Sequence, residues 1–181
     1  MFFSCGEKPK EVRAQEEVLS AQSLSVPKDS LSTDLSSSLA NKSFTGAFFS
    51  VQYPSSFSVS TPYNIPQDRS PINTALFTSS DKKVTFYVFS PQWNGQPDGI
   101  SKKPESEVLV DSTSEVRNRQ RVTRWTLYNQ KEKIYKSFEQ TDHLEYRTRK
   151  VFGIFYTSSE AREEYKEKYL DFKKSLIQYA D

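Results

Sequence analysis

The chain is short of the residues that usually build catalytic and metal chemistry. Its 181 residues include one cysteine, one histidine, one methionine and five glycines. A lone cysteine, Cys5, excludes an intrachain disulfide and zinc sites made from several thiolates. A lone histidine excludes multi-histidine metal sites, and it leaves His143 as the only imidazole base for a nucleophile–base pair. His143 falls in a tight turn and reads as solvated. There is no P-loop and no Gly-x-Gly-x-x-Gly, so no phosphate cradle is expected. No apolar run reaches the roughly 18 residues that a membrane-spanning helix needs. Paired carboxylates fall on loops and helix surface, where no apolar setting would split their pKa values. An enzyme is therefore the weakest function class, and neither a cofactor nor a metal is expected.

Apolar content is low at 35%, while aromatics are abundant at 14%. Their distribution is uneven. Residues 4–43 contain no aromatic, and from Phe44 onward they are dense. Nine of the 24 residues from 20 to 43 are serine, and residues 1–43 carry five basic against six acidic groups. Such a stretch buries too little apolar area to offset its ordering entropy, so residues 6–43 read as a flexible linker. As a coil it has a mean reach of roughly 30–35 Å. The formal net charge of +2 gives no overall field toward nucleic acid or anionic membranes.

At the start, Phe2-Phe3-Ser4-Cys5-Gly6 leads at once into polar sequence. This resembles the end of a bacterial lipoprotein signal peptide, in which a short apolar stretch and a small residue precede a lipidated cysteine. The resemblance implies residues 1–5 as a signal remnant and Cys5 as the lipid attachment site. It also implies a location on a membrane surface of the bacterial cell envelope. The alternative is an ordinary start with an incidental cysteine.

Residues 44–181 read as one α+β domain. Residues 44–53 alternate and end at Pro54, giving a first strand; Phe57-Ser58-Val59 is a short second one. Residues 61–71 hold three prolines and form a loop. Residues 73–79 and 84–89 make a strand pair, the second apolar on both faces as a central strand would be. Residues 91–104 form a long irregular loop, where binding groups are often displayed. Its Trp93 reads as an aromatic plug on the core edge, with closure of a ligand pocket as the other reading. Residues 107–116, 121–128, 133–141 and 144–156 form an antiparallel run, the last pair joined by a turn at Asp142-His143. Two registers suggest themselves for that pair, one setting Lys136 against Arg149 and the other Lys136 against Lys150. Leu144, Tyr146, Phe152, Ile154 and Tyr156 share the face expected to lie under a helix.

That helix is predicted over residues 157–181 as one long element. A capping box starts it at Thr157 with Glu160. Ala161, Tyr165, Tyr169, Phe172, Leu176 and Tyr179 form one apolar stripe. At about 22 residues it would span roughly 33 Å and cross a small sheet. The fold class expected is an antiparallel sheet of six to seven strands covered by this helix.

Phe49-Ser50-Val51-Gln52-Tyr53-Pro54, the strand at 84–89 and Tyr169-Leu170-Asp171-Phe172-Lys173-Lys174-Ser175-Leu176 are similar to the opening and closing elements of the PsbP/Mog1-like group. The resemblance covers residues 44–181 and implies an antiparallel sheet with helices packed on it. The group includes photosystem-associated proteins, a Ran-GTPase-binding protein and bacterial lipoproteins, and no catalytic residue carries over from it.

Three binding readings follow. The leading one is a protein partner or an envelope assembly, with Trp93, Arg119, Arg121, Arg147 and Arg149 as candidate contact residues. The second is carriage of a small apolar ligand between sheet and helix. Nucleic-acid binding ranks third. It rests on residues 117–150, where ten basic groups stand against four acidic, a net +6, interleaved with Trp125, Tyr128, Tyr135 and Tyr146. The plainer account of those charges is a solvated sheet face and edge.

Overall fold

The structure, a computed structural model, describes residues 40–61, 72–93, 95–97, 100 and 105–179. Cys5 and most of the serine-rich segment lie outside the described residues.

The first strands are β1 (Asn41–Thr45), β2 (Phe49–Pro54), β3 (Ser58–Ser60), β4 (Thr74–Thr78) and β5 (Val84–Phe89). Then come β6 (Glu107–Arg117), β7 (Gln120–Asn129), β8 (Ile134–His143) and β9 (Arg149–Tyr156). The chain closes with α1 (Ser159–Glu164), α2 (Lys166–Lys174) and β10 (Ile177–Gln178). Seven strands make one antiparallel sheet in the order β3-β4-β5-β9-β8-β7-β6; a smaller sheet runs β1-β2-β10. The antiparallel sheet and the central place of β5 agree with the sequence. The stretch expected as a single first strand folds back on itself instead. Gly46 turns it, and Phe44 then pairs with Val51. A Cβ on Gly46 would stand 2.8 Å from the Ile72 carbonyl oxygen, so the turn requires glycine.

The C-terminal helix is short, not long. Tyr165, at φ −98° and ψ 3°, divides it into segments of six and nine residues. Its phenol donates 3.0 Å to the Asp81 carboxylate in the β4–β5 turn, which fixes the joint on the sheet. The cap is Ser158, whose Oγ accepts from the Ala161 N–H at 3.2 Å, one residue beyond the expected Thr157. Past Lys174 the free edge of β2 competes with further helix and wins. Ser175 Oγ accepts from the Gln52 N–H at 2.9 Å, Ile177 pairs with Ser50, and the Tyr179 N–H reaches the Phe48 carbonyl at 2.8 Å. Tyr179, placed on the apolar stripe by helical spacing, is exposed.

The apolar residues divide between the two faces of the large sheet. On one face Phe77, Val84, Phe86, Val88, Phe152 and Ile154 meet Phe49 and Val51 of β2 and Ala161, Tyr165 and Phe172 of the helices. On the other, Tyr87, Phe89, Leu127, Phe138 and Val151 pack with Ile100. Pro91 and Pro97 of the same loop are buried there too. These residues take the place expected for Trp93, which is 61% exposed.

The β8–β9 register differs from both expected ones. Lys136 stands opposite Phe155, Glu139 opposite Phe152, and Asp142 opposite Arg149. Strand β8 runs through His143, and residues 144–148 make a longer turn than the predicted pair. The like-charge conflict is removed by this slip. It also takes Leu144 and Tyr146 out of the buried face and leaves both exposed.

Candidate functional site

Two turns meet at one end of the large sheet. Asn118 and Arg119, at φ 49° and 62°, close the β6–β7 hairpin in two residues. The Arg119 carbonyl accepts from the Leu144 N–H at 2.9 Å, which ties that turn to residues 144–148. Arg119 Nη1 also donates 2.8 Å to Glu145. The tip so formed presents three large apolar side chains to solvent, Val116 at 63%, Leu144 at 46% and Tyr146 at 66% exposure. Arg117, Arg119, Arg121 and Arg147 are exposed around them. Tyr146 is held locally, its ring 4.5 Å from the His143 ring and its N–H donating 3.3 Å to His143 Nδ1.

The structure thus gathers Arg119, Arg121 and Arg147 and separates Arg149 from them in character. Arg149 is mostly buried, donating 2.6 Å to Asp142 and 2.9 Å to the Gly95 carbonyl. It pins the long loop, two residues past Trp93, to the sheet, so its role is structural. Arg121 and Arg149 flank Asp142 across adjacent strands. Sequence reasoning missed Val116, Leu144 and Tyr146 as surface groups. The signal for the first was the two-residue turn that follows it; for the other two it was the β8–β9 register.

A second feature is a groove of about 480 Å³ on the helix side of the sheet, between the helices and the outer strands. Arg124, Glu139, Arg162, Lys166, Tyr169 and Lys173 line it. Burial would raise the Glu139 carboxyl. Hydrogen bonds and charge from Lys173 at 2.6 Å and Arg124 at 2.8 Å outweigh that and hold it below its ordinary value. Arg124 in turn reaches Glu115 at 2.8 Å, so a four-residue ion ladder crosses from α2 to β6. Burial first, and then the nearby Glu139 charge, push the Tyr169 phenol far up, so it stays neutral.

Among the described residues no group of three or more His, Cys, Asp or Glu is placed to hold a metal ion. The aromatics interleaved with the basic groups are divided. Trp125 stacks on Phe138 at 5.1 Å on the loop side of the sheet, whereas Tyr135 stacks on Tyr156 at 5.4 Å on the helix side.

No protein-family model and no curated protein sequence matches the chain. Among solved structures it is similar to cyanobacterial PsbP (CyanoP) from Synechocystis sp., at 10% identity, covering 84% of this chain and 99% of that one, with a TM-score of 0.47. It is also similar to the Ran-binding protein Mog1p of Saccharomyces cerevisiae, at 9% identity, covering 79% and 97%, with a TM-score of 0.42. Both proteins come from the group that the Tyr-Pro strand and the closing segment resemble, and likenesses this distant assign no role.

Proposed function

We propose that the chain is a membrane-tethered bacterial lipoprotein, anchored through Cys5, whose non-catalytic α+β domain docks a protein partner or supports an envelope assembly. The observation that carries the docking reading is the tip, where Val116, Leu144 and Tyr146 stand exposed on turns and strand ends that also carry exposed Arg117, Arg119, Arg121 and Arg147. Aromatic and arginine side chains dominate the binding energy of protein interfaces. A partner surface with an apolar centre and an acidic rim would complement it. The described residues contain no helix long and apolar enough to cross a membrane.

Two measurements test the two parts. For the anchor, the intact mass of the chain, expressed in a bacterium behind a complete lipoprotein signal, is compared with a Cys5→Ala form. A gain equal to a diacylglyceryl group plus an acyl chain, absent from the variant, is expected; an unmodified mass overturns the anchor. For docking, a photo-crosslinker replaces Tyr146 in cells, with Lys174 as a distant control. A discrete crosslinked product from the tip alone is expected, and equal products from both positions overturn the tip as the docking surface.

The apolar-carrier reading has less support. Phe77, Phe86 and Phe172 fill the space between sheet and helix with centroid separations of 5.1 and 5.2 Å, and the remaining groove mixes charged side chains with Trp125, Phe138, Ile154, Tyr169 and Leu170.

A further inference from the structure

Strand β6 ends the large sheet, and among the described residues no strand pairs with its outer edge. From Val108 to Arg117 every residue is exposed. Long exposed edges invite pairing with another strand unless something blocks it. Here the register slips between Leu109 and Asp111, a bulge that leaves Val110 unpaired and blunts the first part of the edge. Residues 111–117 are regular and carry no proline or glycine.

The hairpin sets which backbone groups of that stretch are free. A two-residue turn makes Arg117 and Gln120 a hydrogen-bonded pair, so alternate residues toward the bulge turn outward. Ser112, Ser114 and Val116 therefore direct their N–H and C=O groups to the open edge. Two copies related by a two-fold axis at Ser114 would match outward residues with outward residues, Ser112 to Val116 and Ser114 to itself. That register also places Asp111 of each copy opposite Arg117 of the other, on the same face. Neither side chain has an ion-pair partner within the described residues. Shifting the axis by one residue either way sets Asp111 against Glu115, or Glu115 against itself, so charge selects the Ser114-centred register.

We propose that residues 111–117 of β6 pair antiparallel with the same residues of a second copy, joining two large sheets into one across a two-fold axis. About six backbone hydrogen bonds and two Asp111–Arg117 ion pairs would hold it. The helices lie over the inner part of the sheet, against β2 and β9, and leave this edge open. An edge contact of this length buries less than the roughly 1,000 Å² of a stable interface, so the dimer is weak in solution, about micromolar or weaker. It depends on neither lipidation of Cys5 nor the partner of the tip.

The test is sedimentation velocity on the full chain over a rising concentration series. Asp111→Arg and Arg117→Asp, each made alone, face like charge with like at both crossings and should weaken association by about tenfold or more. Mixed together they present opposite charges at both crossings, so an equimolar mixture should associate as the unmodified chain does. The double variant should also recover. Circular dichroism confirms that each variant is folded. A chain monomeric at every concentration overturns the proposal, as does wild-type association in either single variant. Failure of the mixture to associate overturns it too.

Discussion

Replacing Gly153 by alanine tests the packing of the loop-side core most directly. Gly153 lies in β9 between Phe138 of β8 and Tyr87 of β5, its direct cross-strand neighbours. A methyl group there would stand 2.9 Å from Phe138 Cδ1, 3.0 Å from Cε1 and 3.1 Å from Tyr87 Cβ. Unstrained carbon contacts begin near 3.5 Å, so the ring must retreat by about half an ångström. It has little room to do so. Phe138 is 3% exposed, with Trp125 stacked at 5.1 Å and Phe155 packed at 5.6 Å. Overpacking of this kind costs about 1–3 kcal/mol, and the lower backbone entropy of unfolded alanine returns about 0.5–1. The net expectation is a loss of about 1–2 kcal/mol, or roughly 5 °C in Tm for a domain of this size. Urea unfolding followed by Trp125 emission, in a Trp93→Phe background, reads it. Trimming the obstacle with Phe138→Leu should make Gly153→Ala cheaper by at least half. A neutral or stabilising Gly153→Ala in the native background, or an equal cost in both, would refute the close-packing account.

Three further outcomes follow from the helix side of the sheet. Phe172, 1% exposed and in ring contact with Phe77, Phe86 and Phe152, should cost about 3–5 kcal/mol when cut to alanine, measured by the same unfolding assay. Ser158→Ala should cost about 1 kcal/mol and Thr157→Ala only a few tenths, because Ser158 makes the cap bond; the reverse ranking would restore the capping box read from the sequence. Acid should weaken the fold through two carboxylates whose folded pKa values lie below their ordinary ones. Asp81, held by Ser79 and the Lys83 N–H, falls from 3.8 to about 2; Glu139 is lowered, against burial, by Lys173 and Arg124. Their stabilisation is complete above the unfolded values and is lost as pH falls through the folded ones, for Asp81 between about 4 and 2. Asp81→Asn should flatten that part of a Tm-against-pH curve, and an unchanged slope would sink the assignment.

Strand content was legible because side-chain alternation is local. Residues 84–89 show two apolar faces in sequence and occupy the middle of the sheet, between β4 and β9. The C-terminus misled for a physical reason. Leu176 sits where helical spacing puts it and does pack on the core, yet the residues after it answer to the unpaired edge of β2, a demand arising more than a hundred positions earlier. A helix pattern cannot report a competing strand edge far away in sequence. The β8–β9 register was out of reach similarly. The candidate registers were the tightest closure and a slip of one residue from it, and the chain instead spends residues 144–148 on a wider turn so that Asp142 meets Arg149. Of the candidate contacts, the three tip arginines were readable as exposed charge, whereas Arg149 could not be told from them without its partner Asp142.

The same pairing explains why the net +6 of residues 117–150 is a weaker clue than its size suggests. Arg119, Arg124, Lys136 and Arg149 are each within 2.8 Å of a carboxylate, and two of those carboxylates, Glu107 and Glu115, lie outside the stretch on β6. Lys136 and Glu107 meet at 2.7 Å with both side chains largely buried, so that pair contributes almost nothing to the outer field. The cations of that stretch that have no ion pair among the described residues are spread over the sheet. Lys131 and Lys133 lie at the β7–β8 turn, Lys150 lies on the helix side, and Arg117, Arg121 and Arg147 lie at the tip. A nucleic-acid platform needs cations and stacking rings together on one surface. Exposed cations stand beside Val116, Leu144 and Tyr146 at the tip, and the exposed run Val108, Leu109 and Val110 lies toward Lys131 and Lys133 at the other end of β6, so charge and apolar area meet in separate patches rather than along one backbone track. That coincidence, and not the total charge, is what directs the search toward a protein partner.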